Sequence, residues 1–379
     1  MKKVVAILLV LTLVFVATAC STPGQESSKP STESVAPSTV ETTDAATTTD
    51  SAPQGGFRVA SINWTNTHGW RITYEAQLKE VADEYIAQGL ISEYQAFCPN
   101  QDAALEIQYF QQCINDGYDI ILINAGGSTG LDACFEEAVE KGIIAIPVDN
   151  LYPFAGVVGV QTDQAVWAGT NFDAMVAHFN GAPAKVVNFT GMEGTTGSGL
   201  RGDTWDAGLA ANPNFEVVYT GTTAWSQTES KRVMSEFLAT GIEYDAILTE
   251  EACVGILEAI EEAGAPYPEF MTSDEEVGYI RMLDRINADS TVIDFVVIEN
   301  PPGIGASALK LAVRMAQGKE FKDGMLQENA AGTLVAYYTP TYMVTPDTLD
   351  DAIAMWKDAA DTDQMSTYLT EEAADAYFK

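Results

Sequence analysis

From Phe57 onward, short runs of β-branched and other apolar residues alternate with longer stretches whose apolar residues recur at helical spacing. This alternation is typical of parallel sheets covered by helices. Eleven strands exceed one sheet of usual size, so the pattern predicts an α/β protein with two doubly wound parallel sheets. The predicted strands are 58–62, 92–97, 119–125, 143–148, 156–161, 184–190, 215–220, 244–249, 269–273, 292–298 and 333–338.

Two of the intervening stretches have clear helical faces. Tyr74 and Leu78 lie one turn apart on an apolar stripe, with charged residues between them. Leu257 and Ile260 mark a second apolar stripe. That stretch stops at Gly264, which suits the end of a helix. Most acidic residues lie on the outer faces of such helices, where they keep the protein soluble.

The first residues have the pattern of an export signal. Lys2 and Lys3 precede an apolar run over residues 4–19 that is short for a membrane span. The run leads into Cys20 with small residues before it, which resembles the lipobox of bacterial lipoproteins. The resemblance implies a signal peptide over residues 1–19 and lipidation of Cys20. An ordinary secretory signal with an incidental cysteine is the alternative.

Residues 20–56 consist almost entirely of Ser, Thr, Pro, Ala, Gly, Gln and acidic residues. Such a composition cannot form an apolar core, so we expect a disordered tether. No later segment approaches the length of a membrane span. The sequence therefore predicts a protein held by a lipid on the extracytoplasmic face of the cell membrane.

The charge balance limits the possible partners and chemistry. The chain has 19 Lys plus Arg against 54 Asp plus Glu, a formal net charge of -35. A polyanion repels phosphate backbones, so nucleic acid is excluded as a partner. His68 and His178 are the only histidines, which disfavours a histidine-based metal site or catalytic triad. We therefore expect no metal and no cofactor.

Four further cysteines lie beyond Cys20 and have no metal-ligand spacing. Free cysteines in helical segments are most often small buried apolar residues. An oxidising compartment also permits disulfides, and four cysteines allow three pairings. The sequence leaves open whether these residues are free or paired. They are Cys98, Cys113, Cys134 and Cys253.

Polar and aromatic residues follow many of the predicted strands. In a doubly wound fold, the carboxyl ends of the strands border the binding crevice. Carboxylates and amides bind neighbouring hydroxyls, and an indole covers the apolar face of a sugar ring. The pattern indicates a small polyhydroxylated ligand. The residues are Asn63, Trp64, Asn124, Asp149, Asn150, Asp163, Gly191, Trp225, Glu250, Glu251, Asp274, Glu275 and Asn300.

Motifs for catalysis are weak by comparison. The glycines of residues 197–202 fit a dinucleotide turn, but a loop separates them from the preceding strand. The adjacent carboxylates Glu250 and Glu251, or Asp274 and Glu275, could serve a glycosidase. Neighbouring residues on a strand point to opposite faces, which disfavours that use. We therefore predict that the protein is not an enzyme.

Several landmarks together resemble the ribose-binding-like, type I periplasmic binding proteins, the sugar-binding lipoproteins of ABC importers. The resemblance covers roughly Phe57 to Pro346. It implies two lobes joined by a three-segment hinge, with the ligand trapped between them. The landmarks, in order, are Trp70-Arg71, Val148-Asp149-Asn150, Thr162-Asp163, Arg201-Gly202, Trp225 and Asn300-Pro301-Pro302-Gly303.

The resemblance also implies the domain limits. Hinge crossings are expected near Asp163, near Asp274 and around Ala336. Lobe 1 would comprise residues 57–163 and 275–335, and lobe 2 residues 164–274 and 336–379.

The family's ligand-binding positions carry over to seven residues of this chain, and Asn124 joins them as an amide at a strand end. The acidic Asp149 and the basic Arg201 would grip sugar hydroxyls from opposite lobes. Glu251 departs from the Asp or Asn of many relatives, which leaves the ligand's identity open. The full predicted substrate-binding set is Trp70, Arg71, Asn124, Asp149, Arg201, Trp225, Glu251 and Asp274.

The sequence therefore predicts a monomeric solute-binding lipoprotein that delivers a sugar or similar metabolite to an ABC permease with its ATPase. A ligand-sensing module for a membrane kinase or chemoreceptor would use the same cleft. An exported carbohydrate-active enzyme is a third hypothesis.

Overall fold

The computed structural model describes residues 55–379, apart from 289, 291, 330, 331 and 341. The predicted signal peptide, Cys20 and nearly all of the predicted tether lie outside the described residues. Within the described chain, no helix has both the length and the apolar character needed to cross a membrane.

The strands fall where the apolar runs predict them, except that the predicted strand 292–298 forms two short strands, β10 and β11, and that two short strands, β12 and β14, are added. They are β1 (Phe57–Asn63), β2 (Ile91–Phe97), β3 (Ile120–Asn124), β4 (Ile144–Pro147), β5 (Val158–Thr162), β6 (Ala184–Thr190), β7 (Phe215–Thr222), β8 (Ala246–Thr249), β9 (Phe270–Met271), β10 (Asp294–Phe295), β11 (Val297–Ile298), β12 (Gln327–Glu328), β13 (Leu334–Tyr338) and β14 (Met343–Val344).

The helices separate most of these strands. They are α1 (Gly69–Ala87), α2 (Ala103–Asn115), α3 (Asp132–Glu140), α4 (Gln164–Phe179), α5 (Thr196–Ala211), α6 (Gln227–Ala239), α7 (Cys253–Ala263), α8 (Val277–Ile286), α9 (Ile304–Ala316), α10 (Leu349–Met355) and α11 (Glu371–Asp375). As predicted, Gly264 ends α7, and it does so in the left-handed conformation with φ of 60°.

The strands form two larger sheets, both parallel. The first has the order β2-β1-β3-β4, and the second has the order β10-β9-β8-β6-β7. Two smaller sheets connect them along the chain: β5 pairs in parallel with β13, and β11 pairs antiparallel with β14. The predicted α/β fold with two doubly wound parallel sheets is confirmed.

Each large sheet is covered by helices on both faces because alternate strand residues point to opposite sides. In the first sheet, Val59 and Leu122 pack against α1 and α9. Their neighbours Ala60 and Ile121 pack against α2 and α3. The second sheet likewise packs α6, α7 and α8 on one face and α4 and α5 on the other. Strands buried on both faces explain the continuous apolar runs of the sequence.

The domain limits expected from the resemblance need one correction. They assign residues 275–335 to the first lobe, but α8 packs in the core of the second sheet, and β10 is an edge strand of that sheet. The chain returns to the first core only at α9. The crossing expected near Asp274 is therefore wrong. The apolar pattern identifies strands and helices but does not specify which sheet receives them.

The C-terminal segment also differs from the expected assignment to lobe 2. Leu349 and Ala352 of α10 pack in the second sheet's core. Ala374 and Phe378 pack instead in the first sheet's core, beside α9. Residues 336–379 therefore contribute to both cores, and a single lobe does not contain them.

Gly255 allows α6 and α7 to pack closely. A Cβ at this position would overlap the carbonyl oxygen of Gln227 and the hydroxyl of Ser230. We expect Gly255→Ala to lower the free energy of unfolding by about 1–3 kcal/mol, because backbone must move to admit the methyl group. Chemical denaturation measures this change.

The matched control is Gly202→Ala, in the middle of α5, where nothing lies within 4 Å of the added Cβ. Alanine is the better helix former, so this variant should gain about 0.5–1 kcal/mol. Equal effects of the two substitutions would contradict the packing described for Gly255.

Candidate functional site

A cavity lies beyond the carboxyl ends of the strands in both large sheets. We call it the inner cavity. It contains about 350 Å³ of space not filled by atoms, and this volume includes open solvent at its mouth. Like pockets for small molecules, it combines apolar rings with a few polar groups. The lining residues are His68, Trp70, Arg71, Asp149, Asn150, Gln164, Gly197, Arg201, Trp225, Glu251 and Asn300.

Arg201, in the first turns of α5, is the most buried charge in this cavity, with 1% of its surface exposed. Its guanidinium lies 3.8 Å from the ring centre of Trp167, a cation–π contact. Its Nε donates to Oε1 of Gln164 at 2.7 Å, and one terminal nitrogen donates to Oε1 of Glu251 at 2.8 Å. The charge is therefore paired and fixed in direction.

Asn300 closes this set of contacts into a ring. Gln164 donates to the side-chain oxygen of Asn300, and Asn300 donates to Oε1 of Glu251, both at 3.0 Å. The ring joins α4, α5, the loop after β8 and the loop before α9. Buried polar groups stabilise a structure only when their hydrogen bonds are made. The hydrogen bonds of this ring therefore fix the four segments relative to one another.

Arg71 and Asp149 form the other charged pair of the inner cavity. Arg71 is anchored by donation to Oδ1 of Asn63 at 3.0 Å and to the carbonyl oxygen of Asn124 at 3.1 Å. Burial raises the pKa of Asp149 to about 6, although Arg71 and Arg201 both act to lower it. The carboxylate thus lies between two arginines without forming a closed ion pair with either.

The backbone of Asp149 explains how its side chain reaches this position. Its N–H donates to the carbonyl oxygen of Val160 at 2.9 Å, and the side chain of Gln161 donates to its carbonyl oxygen at 2.7 Å. These contacts with β5 hold Asp149 in the left-handed region, with φ of 60°.

Positive φ is uncommon outside glycine and costs energy, and it clusters at functional sites. Besides Asp149, the described chain has two such pairs beside the cavity: Ala224 with Trp225, and Glu251 with Ala252. Each pair immediately precedes the N-terminal part of a helix, α6 or α7. The surrounding structure therefore holds three cavity-lining side chains in conformations that local preference disfavours.

Two indoles contribute apolar surface. Nε1 of Trp70 donates to the carbonyl oxygen of Asn300 at 2.6 Å, so its orientation is fixed. Nε1 of Trp225 is buried and has no partner among the described residues. A side chain at Gly191 would overlap the Trp225 ring, which is why the indole can lie against that loop.

Buried carboxyl groups surround the inner cavity. Glu250 is fully buried, and burial raises its pKa to about 7. Glu275 is also buried, and neither of its oxygens has a partner in the described part of the chain. Burial, with the charges of Glu251 and Asp274, raises the pKa of Glu275 well above its usual range.

The structure brings together six of the eight predicted substrate-binding residues: Trp70, Arg71, Asp149, Arg201, Trp225 and Glu251 all line the inner cavity.

Asn124 is fully buried and does not line it. It lies near Asp149 and lowers that pKa, but no hydrogen bond of normal geometry joins the two side chains. Asp274 lines an adjoining cavity instead.

Sequence reasoning did not single out Gln164 or Gly197 as site residues. Gln164 immediately follows the Thr162-Asp163 landmark, and it is 1% exposed. The only signal for Gln164 in the sequence is its position at the start of a helix. Its burial depends on tertiary contacts, which the sequence alone does not specify.

No cluster of three His, Cys, Asp or Glu among the described residues could hold a metal ion. The pKa of His68 is lowered to about 4 by burial and by Arg71, so this imidazole is neutral near pH 7. Cys113, Cys134 and Cys253 are buried, Cys98 is half-buried, and all four are free.

Comparison with known proteins supports a binding role. Residues 59–320 match the model of a family described as periplasmic binding protein domain. A xylitol-binding protein of Mycolicibacterium smegmatis is 24% identical over 67% of this chain and 69% of its own length. The ribose import binding protein RbsB of Bacillus subtilis is 24% identical over 70% of this chain and 79% of its own.

Solved structures share the fold. An ABC transporter solute-binding protein from Thermobispora bispora superposes with a TM-score of 0.71 at 19% identity, covering 84% of this chain and 93% of that one. The fructose-binding periplasmic domain of a hybrid two-component system has a TM-score of 0.64 at 17% identity, over 79% and 94% of the two chains.

The buried carboxyl groups make stability depend on pH. The pKa values of Glu250, Glu106 and Glu276 are raised to about 7, each chiefly by burial, and that of Asp149 to about 6. The folded protein then binds protons that the unfolded chain releases between about pH 4.5 and 7. We expect the free energy of unfolding to increase as pH falls from 8 to 5, measured by chemical denaturation.

Glu250→Gln removes one of these groups. It should raise stability at pH 8 by about 1–3 kcal/mol and reduce the pH dependence. The exposed Glu140→Gln serves as the control and should change neither quantity. His68 opposes the trend below pH 6.5, because its lowered pKa favours protonation of the unfolded chain, but it is one group against four. Stability that falls steadily from pH 8 to 5 would contradict this account.

Proposed function

Because this chain belongs to the periplasmic binding protein domain family, we propose that it is an extracytoplasmic solute-binding protein of an ABC importer. We propose further that it binds a sugar or related small polar metabolite in the inner cavity. Membership confirms the resemblance to ribose-binding-like, type I periplasmic binding proteins. The observation that supports the ligand class is that two carboxylates, two arginines and two indoles line one cavity.

The charges of the inner cavity favour a neutral ligand with many hydroxyl groups. Asp149 and Glu251 balance Arg71 and Arg201, so a net charge on the ligand gains little. Carboxylates accept hydrogen bonds from hydroxyls, and guanidinium groups donate to them. The faces of Trp70 and Trp225 offer contact for the apolar C–H side of a ring. The xylitol-binding and ribose import binding relatives are consistent with this class.

Closure between two lobes would link binding to recognition by a permease. We propose that one lobe contains the first sheet, residues 57–163 and α9, and that the other contains residues 164–298. Asp149 and Arg201 then belong to opposite lobes. A ligand that contacts both stabilises the closed form, and a membrane partner can distinguish closed from open.

A sensory role is the second candidate. The fructose-binding domain of a hybrid two-component system shares the fold, so the same closure could act on a kinase. Transport activity in a membrane carrying permease and ATPase distinguishes the two roles. Enzymatic turnover is disfavoured, because the xylitol-binding and ribose import relatives that this chain matches are binding proteins.

The first binding test uses Asp149→Asn, which keeps side-chain size and tolerates positive φ. Loss of charge-assisted hydrogen bonds should weaken ligand binding by about 10- to 100-fold. Isothermal titration calorimetry with pentoses, hexoses, alditols and inositols measures the affinity.

Asp203→Asn, on the exposed side of α5, is the control and should bind like the unmodified protein. If the folded protein bound none of these compounds, the proposed ligand class would be wrong. If Asp149→Asn bound as tightly as the unmodified protein, the role of Asp149 would be wrong.

The lipid anchor is a separate proposal that rests on residues 1–20. We expect Cys20→Ser to release the exported full-length chain from the membrane, because a serine oxygen cannot carry the thioether-linked lipid. Detergent phase partition measures this release. Cys98→Ser is the matched control and should remain in the detergent phase. Equal membrane retention of Cys20→Ser and the unmodified chain would reject lipidation at this residue.

A further inference from the structure

A second cavity adjoins the inner cavity, and we call it the outer cavity. It encloses about 780 Å³ counted to its mouth, more than twice the inner volume. Its wall includes the first turn of α6 and the C-terminal segment near residue 364. The lining residues are Thr67, His68, Gly69, Trp70, Trp225, Ser226, Gln227, Thr228, Glu251, Ala252, Asp274, Glu276, Thr362 and Gln364.

The two cavities are continuous in their walls. His68, Trp70, Trp225 and Glu251 line both of them. Each of the two indoles therefore presents surface to both cavities. The two cavities are therefore adjacent, and a group bound in one lies beside the other.

The walls of the outer cavity are polar and carry one sign of charge. Three carboxylates, Glu251, Asp274 and Glu276, line it, and no lysine or arginine is among its lining residues. His68 adds no positive charge near neutral pH, because its pKa is lowered to about 4. Glu251 is already paired with Arg201 at 2.8 Å, so the acids of this wall that have no cationic partner among the described residues are Asp274 and Glu276.

The three carboxylates are not equally available to a ligand. Oδ2 of Asp274 accepts from the N–H of Cys253 at 2.7 Å and from Gln227 at 3.1 Å, and Oδ1 accepts from the N–H of Glu276 at 2.9 Å. Asp274 therefore joins the N-terminal ends of α6 and α7 to the residues before α8. Its predicted role as a direct ligand group remains a prediction, and these contacts favour a positioning role.

Glu276 retains an open oxygen. Its Oε2 accepts from Nε2 of Gln227 at 2.8 Å, and no hydrogen bond from a described residue reaches Oε1. Its backbone forms an antiparallel bridge with that of Gln364, another lining residue. Glu276 is half-buried and faces this cavity, so it can accept a hydrogen bond from a ligand.

We infer that the outer cavity is a second subsite and that the ligand is a substituted sugar, with one ring in the inner cavity and a second ring or similar polar group in the outer. This inference rests on the proposed function and names its substrate class. The second group is neutral or cationic. A phosphate or carboxylate there would lie beside Asp274 and Glu276 and would find no arginine or lysine among the lining residues to pair with.

Thr228→Trp tests the subsite by filling it. Thr228 is exposed in the first turn of α6, so the substitution leaves the core and the inner cavity unchanged. Thr228→Ser, which keeps the space open, is the matched control. Calorimetry compares xylose with xylobiose, glucose with cellobiose, galactose with lactose, and myo-inositol with galactinol.

We expect at least one two-ring probe to bind about tenfold or more tightly than its single-ring partner. Thr228→Trp should remove that advantage while changing affinity for the single-ring compound by less than about twofold. Thr228→Ser should retain it. Lactobionate, an open-chain carboxylate, should bind about tenfold or more weakly than lactitol, its neutral open-chain counterpart, and Glu276→Gln should reduce that penalty.

The outcomes separate this inference from the proposed function. Two results would overturn the second subsite alone, provided that single-ring compounds bind. In the first, the two-ring partners bind no more tightly than the single-ring compounds. In the second, they bind more tightly, but Thr228→Trp leaves that advantage intact. Tight binding of lactobionate would overturn the charge preference. If no probe binds to the folded protein, the proposed sugar-binding function fails and the subsite fails with it.

Discussion

The candidate site depends on the burial of the Arg201 charge. A guanidinium with 1% of its surface exposed must be paired and must satisfy its donors, or it would cost several kcal/mol. Gln164, Glu251 and the ring of Trp167 meet that requirement. Because these partners come from separate helices and loops, satisfying one charge fixes the relative positions of several chain segments.

The same requirement explains why acidic groups crowd this region. Burial raises the pKa values of four carboxyl groups in this region, and one arginine cannot offset that effect for all of them. The four are Glu250, Glu251, Asp274 and Glu275. The positive φ values at Asp149, Trp225 and Glu251 add conformational cost at the same place. Stability is thus lower here than a fully apolar core would allow. Such a cost is expected where a protein maintains polar groups ready for a ligand.

The inner and outer cavities differ in how their charges are balanced, and this difference has a structural origin. Arg71 and Arg201 are both drawn into the inner cavity by buried amide and carbonyl acceptors, namely Asn63, the carbonyl of Asn124 and Gln164. The outer cavity has Gln227 in the corresponding role, tying Asp274 to Glu276 without adding charge. One cavity therefore suits a neutral polyhydroxylated ring, and the other disfavours anions.

The sequence by itself determined the elements and their order, because apolar runs buried on both faces and amphipathic helices leave a local pattern. Six of the eight residues that it predicts for the site line one cavity, because parallel folds bring the ends of strands and helices together. Tertiary structure alone decided which sheet received α8 and β10, since packing partners leave no local signal. It likewise decided that Gln164 completes the Arg201 ring and that backbone and amide donors engage both oxygens of Asp274. Those roles depend on contacts between residues far apart in the chain, and only the folded arrangement creates them.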